Sequence, residues 1–358
     1  MVAAIALKRR GFEPEIVEIE DSFKAVGVGV NLQNSPLRAL HTLDLVEEIE
    51  KRGYPTHVVN MLLADGTPMM PPLSGEPLVA GKPNAIAIGR GVLASIFAEV
   101  VEAESIPTRF NLTVDSLDDA GDEVIVTFSD GSASSYDLVL GADGVNSKVR
   151  NLALGPDAPQ PQYSGQAIWR AGAAREDVDE YYLLNGPISK VGLVPISDDR
   201  MYVYCVETFE TEPRWDDFDD PGAAMKKALE PFGGHVPEVA KRIEGAEIRA
   251  LKVLMLDDPW YRGRVLMIGD AAHATTPHIS YGLGIAVEDG IVLAELAEKH
   301  NDDVDTLLAE FMKRRYDRCK LVVDNSRQLG EWEQHPPEDR SVVGALMGQS
   351  LAVLSQPI

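Results

Sequence analysis

The residues best suited to chemistry form one string that runs from a buried-type strand into a helix. The apolar strand at 265–268 delivers Gly269, which leaves room for a close ligand, and Asp270, whose carboxylate can accept hydrogen bonds from sugar-like hydroxyls. Gly282 and Gly284 follow and expose backbone N–H groups at the start of a helix, where the helix dipole favours developing negative charge. The string therefore predicts a site for a ligand that carries hydroxyl groups and develops negative charge near the start of the helix.

A second turn of similar construction lies at 141–150. The strand that ends at Gly141 leads to Asp143, whose carboxylate can cap the next helix, while Gly144 permits a tight backbone. Ser147 and Arg150 add a hydroxyl and a cation near the same opening. This pairing of two turns strengthens the prediction of one ligand site.

The elements that must position these turns begin with a helix and a strand. Residues 2–10 are predicted to be helical because Ala and Leu are good helix formers and three basic residues close the segment. Residues 15–19 alternate charged and β-branched side chains, which is typical of a strand. The apolar runs at 124–128 and 136–140 flank the turn dipeptide Asp130-Gly131, and this spacing predicts a hairpin.

The second half of the chain is predicted to contain a sheet and two long helices. Short β-patterned segments between 163 and 255 indicate a mostly antiparallel sheet. The helix that starts near Leu283 has an apolar side and an opposite, acidic side with Glu288, Asp289, Glu295 and Glu298. The helix at 304–329 carries three arginines that we interpret as surface charges: Arg314, Arg315 and Arg318.

The two turns resemble the second FAD-binding motif and the Asp-Gly motif of FAD-dependent aromatic hydroxylases. These are single-component flavoprotein monooxygenases similar to para-hydroxybenzoate and salicylate hydroxylases. The resemblance implies that Asp270 binds the ribityl chain of FAD, that Pro277 lies by the flavin ring and that Asp143 serves both FAD and the nicotinamide cofactor. It further places the backbone of three consecutive residues at the flavin pyrimidine edge: Gly282, Leu283 and Gly284.

Further site residues are implied by the same resemblance. Glu18, at the end of the second strand, would bind the adenosine ribose hydroxyls, with Glu20 as the neighbouring alternative, and Arg90 would lie near the flavin. The flavin loop departs from the family pattern Gly-Gln-Gly-Ala-Asn at 280–284. Tyr281 either places a phenol beside the active site or fills a ring pocket, and His278 either deprotonates a phenolic substrate or only lines the pocket. We name His278 and Tyr281 as the candidate catalytic residues.

The first strand and the Gly-x-Gly-x-x-Gly phosphate loop of the family do not occur in this sequence. The match starts at Met1, within the helix that should follow that loop. The expected explanation is a misplaced start codon or a trimmed chain, and the open question is whether the chain as written binds FAD.

The fold class implied is α/β, a Rossmann-like FAD-binding domain that lacks its first strand and phosphate loop and carries an inserted, sheet-rich α+β substrate domain. The FAD domain is assigned to 1–70, 80–160 and 255–330, the substrate-domain sheet to 70–80 and 163–255, and a C-terminal extension to 331–358.

The reaction implied is NADH- or NADPH-dependent hydroxylation of an electron-rich aromatic or heteroaromatic compound by O2, through a flavin C4a-hydroperoxide. Two alternatives stay open. One is a flavin oxidoreductase of the same fold that acts on a non-aromatic substrate, since the motifs specify FAD and not the substrate. The other is a flavin-free remnant that acts as a binding protein.

Composition limits the partners. With 33 basic and 57 acidic residues the chain has a net charge of −24, which disfavours nucleic acid and anionic membranes and leaves a small-molecule substrate and a possible homodimer. Cys205 and Cys319 form no metal-ligand spacing, so no metal is expected. The two cysteines and the absence of a long apolar run favour a cytoplasmic location.

Overall fold

The structure is a computed structural model that describes residues 1–24, 27–301 and 303–358. Its helices are α1 Val2–Lys8, α2 Asn34–His41, α3 Val46–Arg52, α4 Arg90–Ala103, α5 Lys148–Leu154, α6 Pro221–Leu229, α7 Val236–Lys241, α8 Asp270–His273, α9 Gly282–His300, α10 Val304–Gln334 and α11 Ser341–Leu354. Its strands are β1 Ile16–Val17, β2 Gly29–Gln33, β3 Tyr54–Thr56, β4 Val59–Leu63, β5 Ala85–Gly89, β6 Thr108–Arg109, β7 Val114–Asp119, β8 Val124–Phe128, β9 Ala133–Tyr136, β10 Val139–Gly141, β11 Gln162–Ala174, β12 Tyr181–Asn185, β13 Lys190–Pro195, β14 Arg200–Thr208, β15 Glu244–Val253, β16 Tyr261–Arg262 and β17 Val265–Met267.

The half of the molecule that was predicted to bind FAD contains short parallel strand pairs covered by helices. β1 pairs in parallel with β6, and β10 pairs in parallel with β17. Helix α9 packs against both α1 and α10 beside these strands, and the helices bury a core of aliphatic side chains. The mixed α/β fold predicted from the sequence is confirmed.

The second half of the molecule is a six-stranded sheet in the order β15-β11-β14-β13-β12-β4. Its pairs are antiparallel except for β12 with β4, so the mostly antiparallel sheet is confirmed. Helices α6 and α7 cover one of its faces around Trp169. The domain boundaries remain a prediction, although β4 lies in the segment 1–70 that was assigned to the FAD domain.

The predicted hairpin is wrong in its second strand. β8 pairs with β9 across Asp130-Gly131, whereas β10 leaves this meander and pairs with β17. The apolar run at 136–140 is divided because Asp137 and Leu138 pair with neither sheet, and the chain changes partner there. This change is what brings Gly141 beside the end of β17.

Two predictions about charge are also wrong. Glu288 and Asp289 were placed on the acidic side of an amphipathic α9, opposite its apolar side, and Arg315 was interpreted as a surface charge, but all three side chains are fully buried. They form ion pairs between α9 and α10 at 2.9 Å, and Arg318 reaches Glu288 at 2.8 Å. The other acidic residues of α9, Glu295 and Glu298, are partly exposed as predicted.

No helix in the described ranges is both long enough and apolar enough to cross a lipid bilayer.

Candidate active site

A cavity of about 1140 Å³ lies where the ends of the two halves meet. One wall comes from the segment after β17 and the start of α9, and the opposite wall comes from the face of the large sheet. Val145 and Asn146, from the turn after β10, also border it. The two turns singled out in the sequence therefore open on one cavity.

Asp270 is the first residue of α8 and projects into this cavity. Gly269 before it has φ +59°, a left-handed conformation that favours glycine and lets the chain turn sharply from strand to helix. Among the described residues, the Asp270 carboxylate makes no hydrogen bond or ion pair, and it is open to the cavity. Because protein surrounds Asp270 at the cavity wall, desolvation raises the pKa of its carboxyl, although His273 and Arg90 oppose the shift. An acceptor that faces the cavity and has no partner among the described residues fits a ligand with hydroxyl groups, such as the ribityl chain of FAD.

The start of α9 lies on the same wall. Gly282 and Leu283 border the cavity, and so does Pro277. Since the first amides of a helix have no partner within the helix, their N–H groups and the helix dipole favour an anionic ring edge here. Gly284 is packed inward, where a Cβ atom would lie 2.6 Å from the Pro36 ring. Glycine at 284 therefore allows α9 to approach α2 closely.

Asp143 is used as a helix cap and does not border the cavity. Its carboxylate accepts hydrogen bonds from the backbone N–H groups of Lys148 at 2.7 Å and Val149 at 3.0 Å, and from the Ser147 hydroxyl. The cap predicted from the sequence is present, and it shapes the loop that presents Val145 and Asn146. A direct contact of Asp143 with either cofactor stays a prediction.

Arg150 joins the two turns. Its buried guanidinium donates to the carbonyl oxygen of Val145 at 3.0 Å and to that of Ala271 at 3.1 Å, and burial lowers its pKa. The sequence suggested a cation near the opening, and the structure shows instead a link that holds the loop after β10 against α8.

We expect Arg150→Met to loosen this link. Two carbonyl oxygens lose a charged donor, which costs about 1–3 kcal/mol when an acceptor is left without a partner. The urea concentration at the unfolding midpoint and the amount of retained flavin should both decrease in Arg150→Met. The exposed control Arg214→Met should leave both unchanged. Equal unfolding midpoints and flavin contents for both variants would contradict the role of Arg150.

Arg90 and Glu18 occupy different places. Arg90 starts α4 and borders the cavity, where burial and the nearby Arg170 guanidinium lower its pKa. Glu18 directly follows β1, outside the cavity lining, and its Oε1 accepts from the backbone N–H of Glu20 at 3.0 Å. The structure thus brings Arg90 but not Glu18 to the cavity.

The two candidate catalytic residues have different exposures to the cavity. His278 borders it and has both ring nitrogens within hydrogen-bonding distance of protein groups: Nδ1 lies 2.8 Å from Thr276 Oγ1 and Nε2 lies 3.0 Å from Glu333 Oε2. Tyr281 is buried behind the loop, outside the cavity lining, and burial raises its pKa to about 12. Of the two alternatives stated for Tyr281, this position favours the filled ring pocket.

The sequence did not reveal the opposite wall. This wall contains Arg170 on β11, Lys190 on β13, and Tyr202 and Tyr204 on β14. Tyr202 and Tyr204 are two residues apart, which is the spacing that puts side chains on one face of a strand. This spacing could have predicted that the two tyrosines share one face of the sheet, but it could not have predicted that this face borders a cavity.

Comparisons with known proteins agree with this geometry. The family described as FAD binding domain matches residues 1–326. The FAD-dependent urate hydroxylase of Mycolicibacterium vanbaalenii is 30% identical over 341 residues, which cover 92% of this chain and 84% of that protein. The 2-heptyl-3-hydroxy-4(1H)-quinolone synthase of Pseudomonas aeruginosa is 30% identical and covers 93% of this chain and 88% of that protein.

Solved structures show the same fold. Klebsiella pneumoniae HpxO complexed with FAD and uric acid superposes with a TM-score of 0.84 at 22% identity, covering 99% of this chain and 94% of that one. The open Asp270 carboxylate and the start of α9 on the cavity wall agree with the family match and with these relatives. The chain belongs to the family of FAD-dependent monooxygenases.

Proposed function

We propose that the chain hydroxylates an electron-rich aromatic or heteroaromatic small molecule, with NADH or NADPH and O2 as co-substrates. The observation that carries the proposal is the composition of the cavity of about 1140 Å³. One of its walls has an open carboxylate and the start of a helix, and the opposite wall has aromatic and cationic side chains. Relatives named as a urate hydroxylase and a quinolone synthase support a heteroaromatic substrate.

The cofactor half of the cavity supplies contacts along the length of a flavin. Asp270 would accept hydrogen bonds from the ribityl hydroxyls, Pro277 would lie against the ring, and the amides of Gly282 and Leu283 would face its pyrimidine edge. Arg90 would add a positive charge nearby. Bound FAD supplies the redox chemistry with NAD(P)H and O2, and the protein contributes binding, orientation and the exclusion of water.

The sheet half of the cavity suits a planar ring with an acidic substituent. Tyr181 and Tyr204 border it with their hydroxyl oxygens 2.6 Å apart, and burial raises the pKa values of both, so both phenols are neutral donors at physiological pH. Arg170 and Lys190 contribute positive charge on the same wall. Aromatic side chains favour a flat ring through stacked or edge-on contacts, and cations favour an anionic group on it.

Other properties of the proposal follow from composition. The net charge of −24 disfavours nucleic acid and anionic membranes as partners, and a homodimer is compatible with it. Cys205 and Cys319 are both free and buried, which suits a cytoplasmic protein.

The experiment is a substrate panel with the purified chain reconstituted with FAD. NAD(P)H loss, O2 uptake and product mass are followed with phenolic, salicylate-like, hydroxypyridine and purine compounds. We expect slow NAD(P)H oxidation alone and faster oxidation with a cognate aromatic compound, with one oxygen atom from O2 in the product. Oxidation of NAD(P)H without oxygen incorporation across the panel would favour the oxidoreductase alternative on a non-aromatic substrate.

A further inference from the structure

His278 connects the active-site cavity with a carboxylate nearer the molecular surface. Its ring is buried, with Nδ1 2.8 Å from Thr276 Oγ1 and Nε2 3.0 Å from Glu333 Oε2. Thr276 precedes the ring by two residues, whereas Glu333 comes from the end of α10. The three side chains form a hydroxyl–imidazole–carboxylate line.

The two ends of this line lie in different surroundings. Thr276 borders both the main cavity and a second cavity of about 420 Å³ between α10 and strands β11 and β15. The Glu333 side chain is 32% exposed, and His278 between them is nearly inaccessible. The hydrogen-bonded line therefore connects the cavity at Thr276 with the partly exposed side chain of Glu333.

Charged neighbours fix the resting protonation of the line. Lys190 from β13 pairs with Glu333 Oε1, and Gln166 from β11 donates to Glu333 Oε2 at 3.2 Å. Although burial opposes it, Lys190 and His278 hold the pKa of Glu333 well below its usual range. Burial, followed by Lys190, lowers the pKa of His278, while Glu333 partly offsets this effect. Tyr204 from β14 faces the same carboxylate and is neutral because burial raises its pKa.

These charges define one tautomer. With Glu333 ionised and His278 neutral, the Nε2–H group donates to the carboxylate, so Nδ1 has a lone pair that accepts from the Thr276 hydroxyl. Both ring nitrogens are then engaged by protein groups. A substrate hydroxyl in the cavity would therefore reach the lone pair of Nδ1 only through the Thr276 hydroxyl, which occupies it.

We propose that Thr276, His278 and Glu333 form a proton relay that deprotonates the hydroxyl group of the aromatic substrate. The substrate O–H bond breaks and its proton passes to Thr276 Oγ1, while the Thr276 proton passes to His278 Nδ1. The products are a phenolate and an imidazolium ion whose charge the ionised Glu333 stabilises, and the imidazolium later loses its proton to solvent on the partly exposed Glu333 side. The phenolate is the more electron-rich ring, so the relay prepares it for hydroxylation. This inference rests on the proposed function, and it assigns roles to Thr276, Glu333 and the supporting Lys190.

The variants separate the relay from folding effects. Glu333→Gln keeps the size of the side chain but removes its charge, and Thr276→Val removes the hydroxyl while Thr276→Ser retains it. Glu338→Gln, an exposed position just beyond α10, is the matched control. Circular dichroism and flavin content establish that each variant is folded and loaded.

The first measurement is ¹⁵N NMR of labelled histidine in the flavin-loaded protein, which needs no substrate. We expect the proton of neutral His278 to reside on Nε2. In Glu333→Gln the pKa of His278 should fall by about one unit, because the carboxylate that favours the imidazolium is lost while the Lys190 charge remains. A proton on Nδ1 in the wild type would overturn the relay.

The second measurement is the pH profile of product formation with the aromatic compound that is hydroxylated fastest in the panel. The wild-type rate should rise with pH as His278 loses its proton, because only neutral imidazole can accept from Thr276. In Glu333→Gln the rise of the rate should occur at lower pH, because the pKa of His278 is lower. The rate at the high-pH plateau should fall about ten- to hundredfold. Thr276→Val should lower the plateau by a similar factor, and Thr276→Ser should restore it.

The two possible failures are distinguishable. If the wild type hydroxylates no aromatic compound, the proposed function fails. If the wild type hydroxylates an aromatic compound, and Glu333→Gln or Thr276→Val has the same plateau rate and the same pH dependence as the wild type, the relay alone is overturned.

Discussion

Replacing Arg315 with methionine is expected to lower the free energy of unfolding by about 3–5 kcal/mol. The guanidinium is fully buried between α9 and α10 and donates to Asp289 Oδ1 and Glu288 Oε2, both at 2.9 Å, and to the Ile285 carbonyl oxygen at 3.1 Å. Methionine fills much of the volume but leaves two buried carboxylates with one fewer cation. Their desolvation is then uncompensated, which is the costly way to break a buried ion pair.

The same substitution should also weaken flavin retention. Asp289 Oδ2 accepts from the backbone N–H of Gly269 at 2.9 Å and lies 2.7 Å from His273 Nε2, so Asp289 holds the turn that presents Asp270. Its pKa is lowered: burial opposes ionisation, but His273 and Arg315 outweigh burial. Without Arg315, Asp289 is a weaker anchor for that turn.

Denaturant unfolding and released flavin measure the two effects. The neighbouring Arg314→Met is the matched control, because the Arg314 side chain is 30% exposed and pairs with the partly exposed Glu295. An exposed pair contributes only about 0–1 kcal/mol. Similar destabilisation by the two substitutions would show that the buried network does not carry the stability assigned to it.

The sequence was a good guide where the decisive contacts are local. The end of β17, the turn at Gly269 and Asp270 and the start of α9 follow one another within about one βα unit, so their types and spacing were sufficient to predict them. Asp143 is similar, since its cap contacts lie four to six residues away along the chain. Such contacts need no knowledge of the tertiary fold.

The sequence was a poor guide where the decisive partner is distant. An acidic residue on the less apolar side of α9 has the same pattern whether it meets water or a buried arginine, and Arg315 lies 26 residues beyond Asp289. Glu333 lies 55 residues beyond His278, at a position that depends on where α10 ends. The sheet wall likewise depends on the pairing of β11 with β14 and β15, which periodicity does not determine.

Replacing Asp270 with asparagine is expected to weaken FAD binding about 10- to 100-fold at neutral pH. The carboxylate is open to the cavity and has no partner among the described residues, so it is available to ribityl hydroxyls. A hydrogen bond to a charged acceptor contributes about 1.5–3 kcal/mol, and asparagine replaces one carboxylate oxygen with an NH2 group that cannot accept.

The pH dependence supplies a second signature of the same contact. Burial raises the pKa of Asp270, so in the flavin-free protein this carboxylate takes up a proton at a higher pH than an ordinary aspartate does. Hydroxyl donors favour the ionised form. FAD affinity should therefore be greatest above the raised pKa and should decrease as the pH falls through it.

Flavin fluorescence titrations over a pH series measure both effects in wild type, Asp270→Asn and an exposed control, Asp257→Asn. Circular dichroism defines the pH range in which all three remain folded. Within it, the wild type and the control should lose affinity together as the pH falls, whereas Asp270→Asn should bind weakly with a flatter profile because the titrating group is gone. If Asp270→Asn instead follows the wild-type curve at wild-type affinity, the ribityl contact assigned to Asp270 is wrong and the flavin is held by the start of α9 and the loop after β10 without it.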